Sequence, residues 1–398
     1  MRDNTSEAML PKPLVDALDR HLNHRGRRTV KDDRNVGDYT LVSRRSGLLC
    51  GFAELRHMGF KLTTPDSLRE NHIKALVSYW VQQEFSASTI QNRLAHFRAL
   101  SKWIGKPGMV RSTMSYVDEA NRHRVRRTVA AQENLSWKGK GIDVTEVIKE
   151  AERRDKYTAL YLRLMHAFGL RLREAICLRP LVDVADNGHF LSVRDGTKGG
   201  RHRIVQIETD YQRETLSLAA AMSQPKNKRI IAAHRSLEQA YQRTRYQMRK
   251  LGLTREGLGV TAHGLRHQYA QNRYEKIAGI PSPICGGDPA QIDRDTHLHA
   301  CYDVMQQLGH SRVDVAASYY GTHGHALRGK DNPGMPWERE ARKAKALQAA
   351  KAGESARVMP NYGEVINRAT KVQYSFVLKA QPTALSAGAH EPGETEAS

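Results

Sequence analysis

The chain has 398 residues, 63 Lys and Arg against 42 Asp and Glu, and a net charge of +21. At about 100–200 residues per domain this length allows two or three domains, and charged residues at 26% with 39% hydrophobic residues exclude wholesale disorder. The sequence holds no run near the ~18 apolar residues of a membrane span and no apolar signal core in MRDNTSEAMLPKPLVDALDRHLNHRGRR, and Cys50, Cys177, Cys285 and Cys301 lie too far apart for a disulfide scaffold or a C-x-x-C zinc module.

The excess is therefore one of sign, and a polyanion, nucleic acid first, is the expected partner. A basic enzyme without such a partner is the plainer alternative. The expected location is cytoplasmic, the bacterial cytoplasm or nucleoid, with reduced thiols and no membrane partner.

In chain order, residues 1–40 read as a basic N-terminal arm with one short amphipathic helix around Leu14–Leu22. Residues 41–112 read as a compact helical unit. Apolar positions recur at helical spacing in Leu48-Leu49-Phe52-Leu55, in Ile73-Leu76-Val77-Trp80 and in Ile90-Leu94-Phe97-Leu100-Ile104. Arg93, Arg98, Lys102 and Lys106 on these helices are candidates to track phosphates, and each also reads as part of a solvated face. Residues 113–142 read as a basic linker, with Arg124, Arg126 and Arg127 as further phosphate candidates.

From residue 143 to about 330 a second unit follows. Helices are predicted at 143–153, 155–168, 211–222, 235–251, 263–278 and 295–308. Extended runs at Leu181–Val184, Phe190–Val193 and Ile204–Ile207, with turns at Asn187-Gly188 and Gly199-Gly200, predict a small antiparallel sheet. Residues 331–398 read as a tail: a charged helix at 337–352, then a disordered end from Gln381. The fold class is mainly α with a small antiparallel β-sheet, that is, α+β.

Four segments carry candidate chemistry. They are Gly169-Leu170-Arg171-Leu172-Arg173-Glu174, Thr197-Lys198-Gly199-Gly200, His263-Gly264-Leu265-Arg266-His267, and Leu308-Gly309-His310 followed by Ser318-Tyr319-Tyr320. Two arginine forks suit the non-bridging oxygens of a phosphodiester, because a planar guanidinium donates two parallel bonds. Histidines beside them serve as donors or as acceptors of a proton. A tyrosine hydroxyl is a nucleophile that can hold a strand covalently.

In order and spacing these segments resemble the tyrosine site-specific recombinases, the phage and mobile-element integrases. That pattern is an Arg in a G-L-R-x-x-E box, a Lys on a hairpin, H-x-x-R, then L-G-H with a Tyr about nine residues on. Tyr319 lies nine residues after His310 and matches, whereas Tyr320 is one late. The 44 residues from Arg266 to His310 exceed the spacing of compact members, and the Pro/Gly-rich stretch 281–294 accounts for the difference.

The resemblance implies a helical core-binding domain and a catalytic domain that form a C-shaped clamp on double-stranded DNA. It implies Tyr319 as nucleophile, with Arg171, Lys198, His263, Arg266 and His310 as catalytic partners and Glu174 in support. The product would be a 3′-phosphotyrosyl bond and a free 5′-hydroxyl, formed without ATP. No metal and no cofactor is expected: acidic triads of two-metal nucleases are not apparent at any convincing spacing, and Cys285, His297, His299 and Cys301 match no common zinc spacing. His267, His297 and His299 read as structural or surface residues. The resemblance also implies a homo-tetramer on DNA whose C-terminal segment docks in trans, and leaves room for an accessory DNA-bending or directionality protein. Integration or excision of a mobile element is the leading role. A dimer resolvase or type IB-like topoisomerase using the same chemistry, and a non-catalytic architectural DNA-binding protein, are the alternatives.

Overall fold

A computed structural model of the chain describes residues 3–27 and 35–323. The predicted helix 337–352 and the tail 331–398 lie outside the described residues.

The N-terminal lobe is built from α1 (Asp3–Ala8), α2 (Lys12–Arg25), α3 (Asp38–His57), α4 (Glu70–Gln82) and α5 (Ala87–Trp103). In α4 the apolar residues Ile73, Leu76, Val77 and Trp80 recur on one face and are fully buried. The N-terminus of α5 is capped by the Ser86 side chain, which accepts from the Thr89 amide. The Trp80 indole donates to Glu54 at 2.7 Å.

Part of the expected N-terminal arm belongs to this lobe. Leu14, Val15, Leu18 and Leu22 of α2 bury into the same core as Phe52, Trp80 and Phe97. The Arg25 guanidinium donates to the Trp103 carbonyl at 2.8 Å and fastens the end of α2 to the end of α5.

The stretch expected as a plain linker is anchored along its length. Tyr116 and Val125, the latter closing the short α6 (Arg122–Val125), bury in the N-terminal core. The Ala131 amide donates to the Ala317 carbonyl at 3.0 Å. Trp137 is buried in the core of the second lobe, and its indole donates to the Thr261 carbonyl at 2.8 Å.

The second lobe opens with α7 (Val144–Arg154) and α8 (Lys156–Phe168), capped by the Asp143 and Asp155 side chains. The short α9 (Leu172–Cys177) and α10 (Pro180–Asp183) lead into β1 (Val184–Ala185), β2 (Phe190–Val193) and β3 (Arg203–Gln206). The three strands are antiparallel in the order β1-β2-β3, with Leu191 opposite Val205 and Val193 opposite Arg203. Leu191, Val193 and Val205 face the core.

The run Leu181–Val184 departs from its predicted strand. Pro180 stands at the first helical position, where its missing amide costs nothing. The Asp183 carboxylate folds back to accept from the Arg179 amide at 2.8 Å. The result is a helical turn that leaves Leu181 and Val182 exposed.

Helices α11 (Asp210–Ala221) and α12 (Leu237–Lys250) close the main core. A third cluster forms where α13 (His263–Ala278), α14 (Arg294–Gln307) and α15 (Val313–Tyr320) meet, through Ala270, Tyr274, Val304, Leu308, Ala316 and Tyr320. Among the described residues no helix is long and apolar enough to cross a membrane.

Candidate active site

The site lies where the start of α9, the first turn of α13, the turn after α14 and the end of α15 converge. Glu174 organises the first of these. One carboxylate oxygen accepts from the Arg171 amide at 2.7 Å, closing the turn that starts α9, and the other accepts from the Arg171 guanidinium at 2.7 Å. From β3, Arg203 forks onto both oxygens of the same carboxylate at 2.9 and 2.7 Å. Burial alone would raise the Glu174 carboxyl; the hydrogen bond and charge of Arg203, with the charges of Arg266 and Arg171, outweigh it and hold the group at about 2.

Arg266 sits in the first turn of α13 with no exposed surface. It donates to the Gly169 carbonyl at 2.5 Å, to the Leu308 carbonyl at 2.6 Å and, through Nε, to the Tyr319 hydroxyl at 3.2 Å. Desolvation lowers this guanidinium to about 10. It remains a cation at neutral pH.

Tyr319 is held between the guanidinium and three imidazoles. Its ring centroid lies 4.7 Å from that of His267, 5.5 Å from His310 and 5.7 Å from His263. Its carbonyl accepts from the buried Gln271 amide at 3.1 Å. Burial, then neighbouring positive charge, lowers His263 to about 3 and His310 to about 4; burial likewise lowers His267 to about 4. All three are neutral rings at pH 7 and can accept a proton on an unprotonated nitrogen. Tyr320 points elsewhere: it stacks on Tyr274 at 5.6 Å, and its hydroxyl donates to the Val313 carbonyl.

Of the residues singled out in the sequence, Arg171, Glu174, His263, Arg266, His310 and Tyr319 are thus brought together. Lys198 is not. It sits exposed on the turn between β2 and β3, with no hydrogen bond or ion pair to the site among the described residues. Two members of the site went unanticipated, Arg203 and His267. His267 lies one helical turn beyond His263, so the helix predicted at 263–278 already placed both rings on one face. Arg203 shares its strand face with Val205.

The basic residues of the N-terminal lobe are less available than the sequence suggested. Arg93 pairs with Glu54 at 2.5 Å, Arg98 donates to the Val110 and Arg111 carbonyls, and Lys106 donates to the Asp66 and Leu68 carbonyls. Donors spent on these partners serve to hold the lobe together. Lys102 is exposed on α5. Arg124 lies 3.9 Å from Glu84, and Arg126 and Arg127 are exposed.

Residues 127–272 match a family model described as Integrase, and residues 22–110 match one described as Phage integrase, N-terminal. The chain belongs to the phage integrase family. Its second lobe is the catalytic domain of a tyrosine recombinase, an enzyme of DNA recombination. The integrase segment takes in Arg171, Glu174, Lys198, His263 and Arg266, while His310 and Tyr319 lie beyond it.

Three solved integrase and recombinase structures are similar in outline. A lambda integrase tetramer bound to a Holliday junction is 18% identical, with 82% of this chain and 82% of that chain covered and a TM-score of 0.49. The Tn1549 transposon integrase in complex with a circular intermediate DNA is 13% identical, covering 83% and 98% with a TM-score of 0.48. The XerH site-specific recombinase bound to palindromic difH substrate is 17% identical, covering 80% and 89% with a TM-score of 0.47. Comparison with curated proteins finds no match.

Proposed function

We propose that this integrase cleaves and rejoins double-stranded DNA through Tyr319, to integrate or excise a mobile genetic element. The observation that carries the reading is the 3.2 Å contact from Arg266 Nε to the Tyr319 hydroxyl, inside a ring of three histidines.

In this reading the Tyr319 oxygen attacks the phosphorus. The bond from phosphorus to the 5′ oxygen breaks as the bond to the phenolic oxygen forms, so the strand's 3′ end is held as a phosphotyrosine. The negative charge of a bound phosphate would raise His263 from its lowered value in the empty site, so that the ring takes the phenolic proton. Arg171, Arg266 and His310 bear the charge that builds on the non-bridging oxygens, and such preorganised donors are usually the largest single catalytic contribution. Glu174 fixes Arg171. Lys198 gives its proton to the departing 5′ oxygen, which requires the exposed β2–β3 turn to close over bound DNA. The new ester conserves the energy of the old one, so the reverse attack by a 5′-hydroxyl rejoins the strand without ATP.

The two lobes would clasp the duplex mainly through phosphate contacts, with Arg126 and Arg127 as exposed cations. Four copies would act on two sites, with the segment after Tyr319 docking on a neighbour. The test uses a nicked duplex built on the sequence that the full chain selects from a randomised DNA pool. The expected result is a protein–DNA adduct that survives denaturation, is lost in Tyr319→Phe and is kept in Tyr320→Phe. An adduct that persists in Tyr319→Phe refutes the assignment.

A further inference from the structure

A buried cation that the catalytic scheme does not use stands at the crossing of three motif segments. Arg203 is 6% exposed. Its fork occupies both oxygens of Glu174, and its Nε donates to the Gln307 carbonyl at 3.0 Å. Gln307 ends α14, and the turn Leu308-Gly309 then presents His310. The stem of Arg203 runs directly beneath that turn: a methyl group added at Gly309, where φ is +67°, would lie 2.8 Å from the Arg203 Cδ. Arg203 also begins β3, five residues after Lys198 on the same hairpin.

We infer that Arg203 is a positioning residue for strand cleavage, a single fork that sets the register between the Arg171 turn, the His310 turn and the Lys198 hairpin. The inference rests on the reading of the site given above. Only an arginine fits this post. Two parallel donors match the carboxylate edge, and a third, on Nε, points to a different segment. A lysine keeps the charge and loses that geometry. Small displacements of catalytic groups of this kind cost about 10²-fold in rate.

The test compares Arg203→Lys and Arg203→Met with the wild-type full chain on the same selected nicked duplex. The readouts are adduct formation at saturating DNA, DNA affinity, and the folded fraction from circular dichroism. Arg203→Lys is expected to stay folded, bind DNA as wild type does and form adduct about 10²-fold more slowly. A pH profile adds a readout that a purely structural role would not move. Three guanidiniums face Glu174, those of Arg171, Arg203 and Arg266, and Arg203 contributes the largest lowering among them. With that partner gone in Arg203→Met, burial raises the carboxyl. Adduct formation should then acquire an acidic limb that is absent from wild type and from Arg203→Lys.

Wild-type rates in both variants overturn the inference. So does a loss of rate that merely follows a loss of folded protein. A wild-type chain that forms no adduct at all instead refutes the reading of the site itself.

Discussion

The two arginines proposed to clamp the phosphate differ in what else they hold, and this yields a sharp prediction. Arg266 is fully buried and supplies hydrogen bonds to the carbonyls of Gly169 and Leu308 as well as to Tyr319. Replacing it by Met would leave two buried carbonyls without that donor. At about 1–3 kcal/mol for each unsatisfied buried group, the cost is about 2–6 kcal/mol, a large share of the ~5–15 kcal/mol that stabilises an ordinary domain. Among the described residues the Arg171 side chain pairs only with Glu174, it is 24% exposed, and Glu174 keeps both bonds from Arg203 without it. Arg171→Met should therefore cost about 1 kcal/mol or less. Both variants should slow adduct formation by about 10²–10³-fold on the nicked duplex, where each is still folded. Urea unfolding followed by circular dichroism, run beside the adduct assay, separates the two effects. Equal destabilisation by the two substitutions would refute the idea that Arg266 is a structural post as well as a charge.

Three further outcomes follow from the same contacts. His263, His267 and His310 are lowered by burial to about 3, 4 and 4 in the folded chain, below the free value near 6.5, so the unfolded chain binds more protons on acidification; their contribution to stability is complete above about pH 6.5 and fades as pH falls towards 4, and His267→Gln should flatten the fall in melting temperature across that window. A methyl group at Gly51 would sit 2.5 Å from the Phe97 ring where α3 crosses α5, so Gly51→Ala should cost about 1–3 kcal/mol, with Phe97→Leu in the same chain recovering part of it in thermal melts. Arg126→Gln and Arg127→Gln should each lower the slope of log affinity against log salt by about 0.9, whereas Arg93→Gln, whose guanidinium already pairs with Glu54, should leave the slope unchanged.

What could be read in the sequence, and what could not, divides along physical lines. The chemistry of a phosphodiester restricts the residue types that serve it, so Arg171, His263, Arg266, His310 and Tyr319 stand out by type and spacing even though they lie on four separate elements. Helices with an uninterrupted apolar face, such as α4 and α5, are legible because burial repeats every three to four residues. The run Leu181–Val184 misleads because a short apolar stretch has no period of its own, and Pro180 with Asp183 is the local signal that turns it into a helix. The short helix around Leu14–Leu22 was legible, but its membership of the N-terminal core was not, since a charged sequence on either side of an amphipathic helix says nothing about which surface receives its apolar face.

Arg203 is the instructive omission. Strand alternation places it on the inward face with Val205, yet a cation in a core is intelligible only once its counter-charge is known. That partner, Glu174, lies 29 residues away on a different element. Lys198 presents the converse: its motif is plain in the sequence, yet it sits exposed and clear of the buried groups. Taken together, the two residues argue that the protein alone can preorganise the anionic and cationic scaffold around Tyr319, because those charges neutralise each other in the core. Lys198, proposed to meet the departing oxygen, has no ion-pair partner among the described residues. On the proposed reading its position is set by the negative charge of the nucleic acid, which would make closure of the hairpin a consequence of binding the substrate.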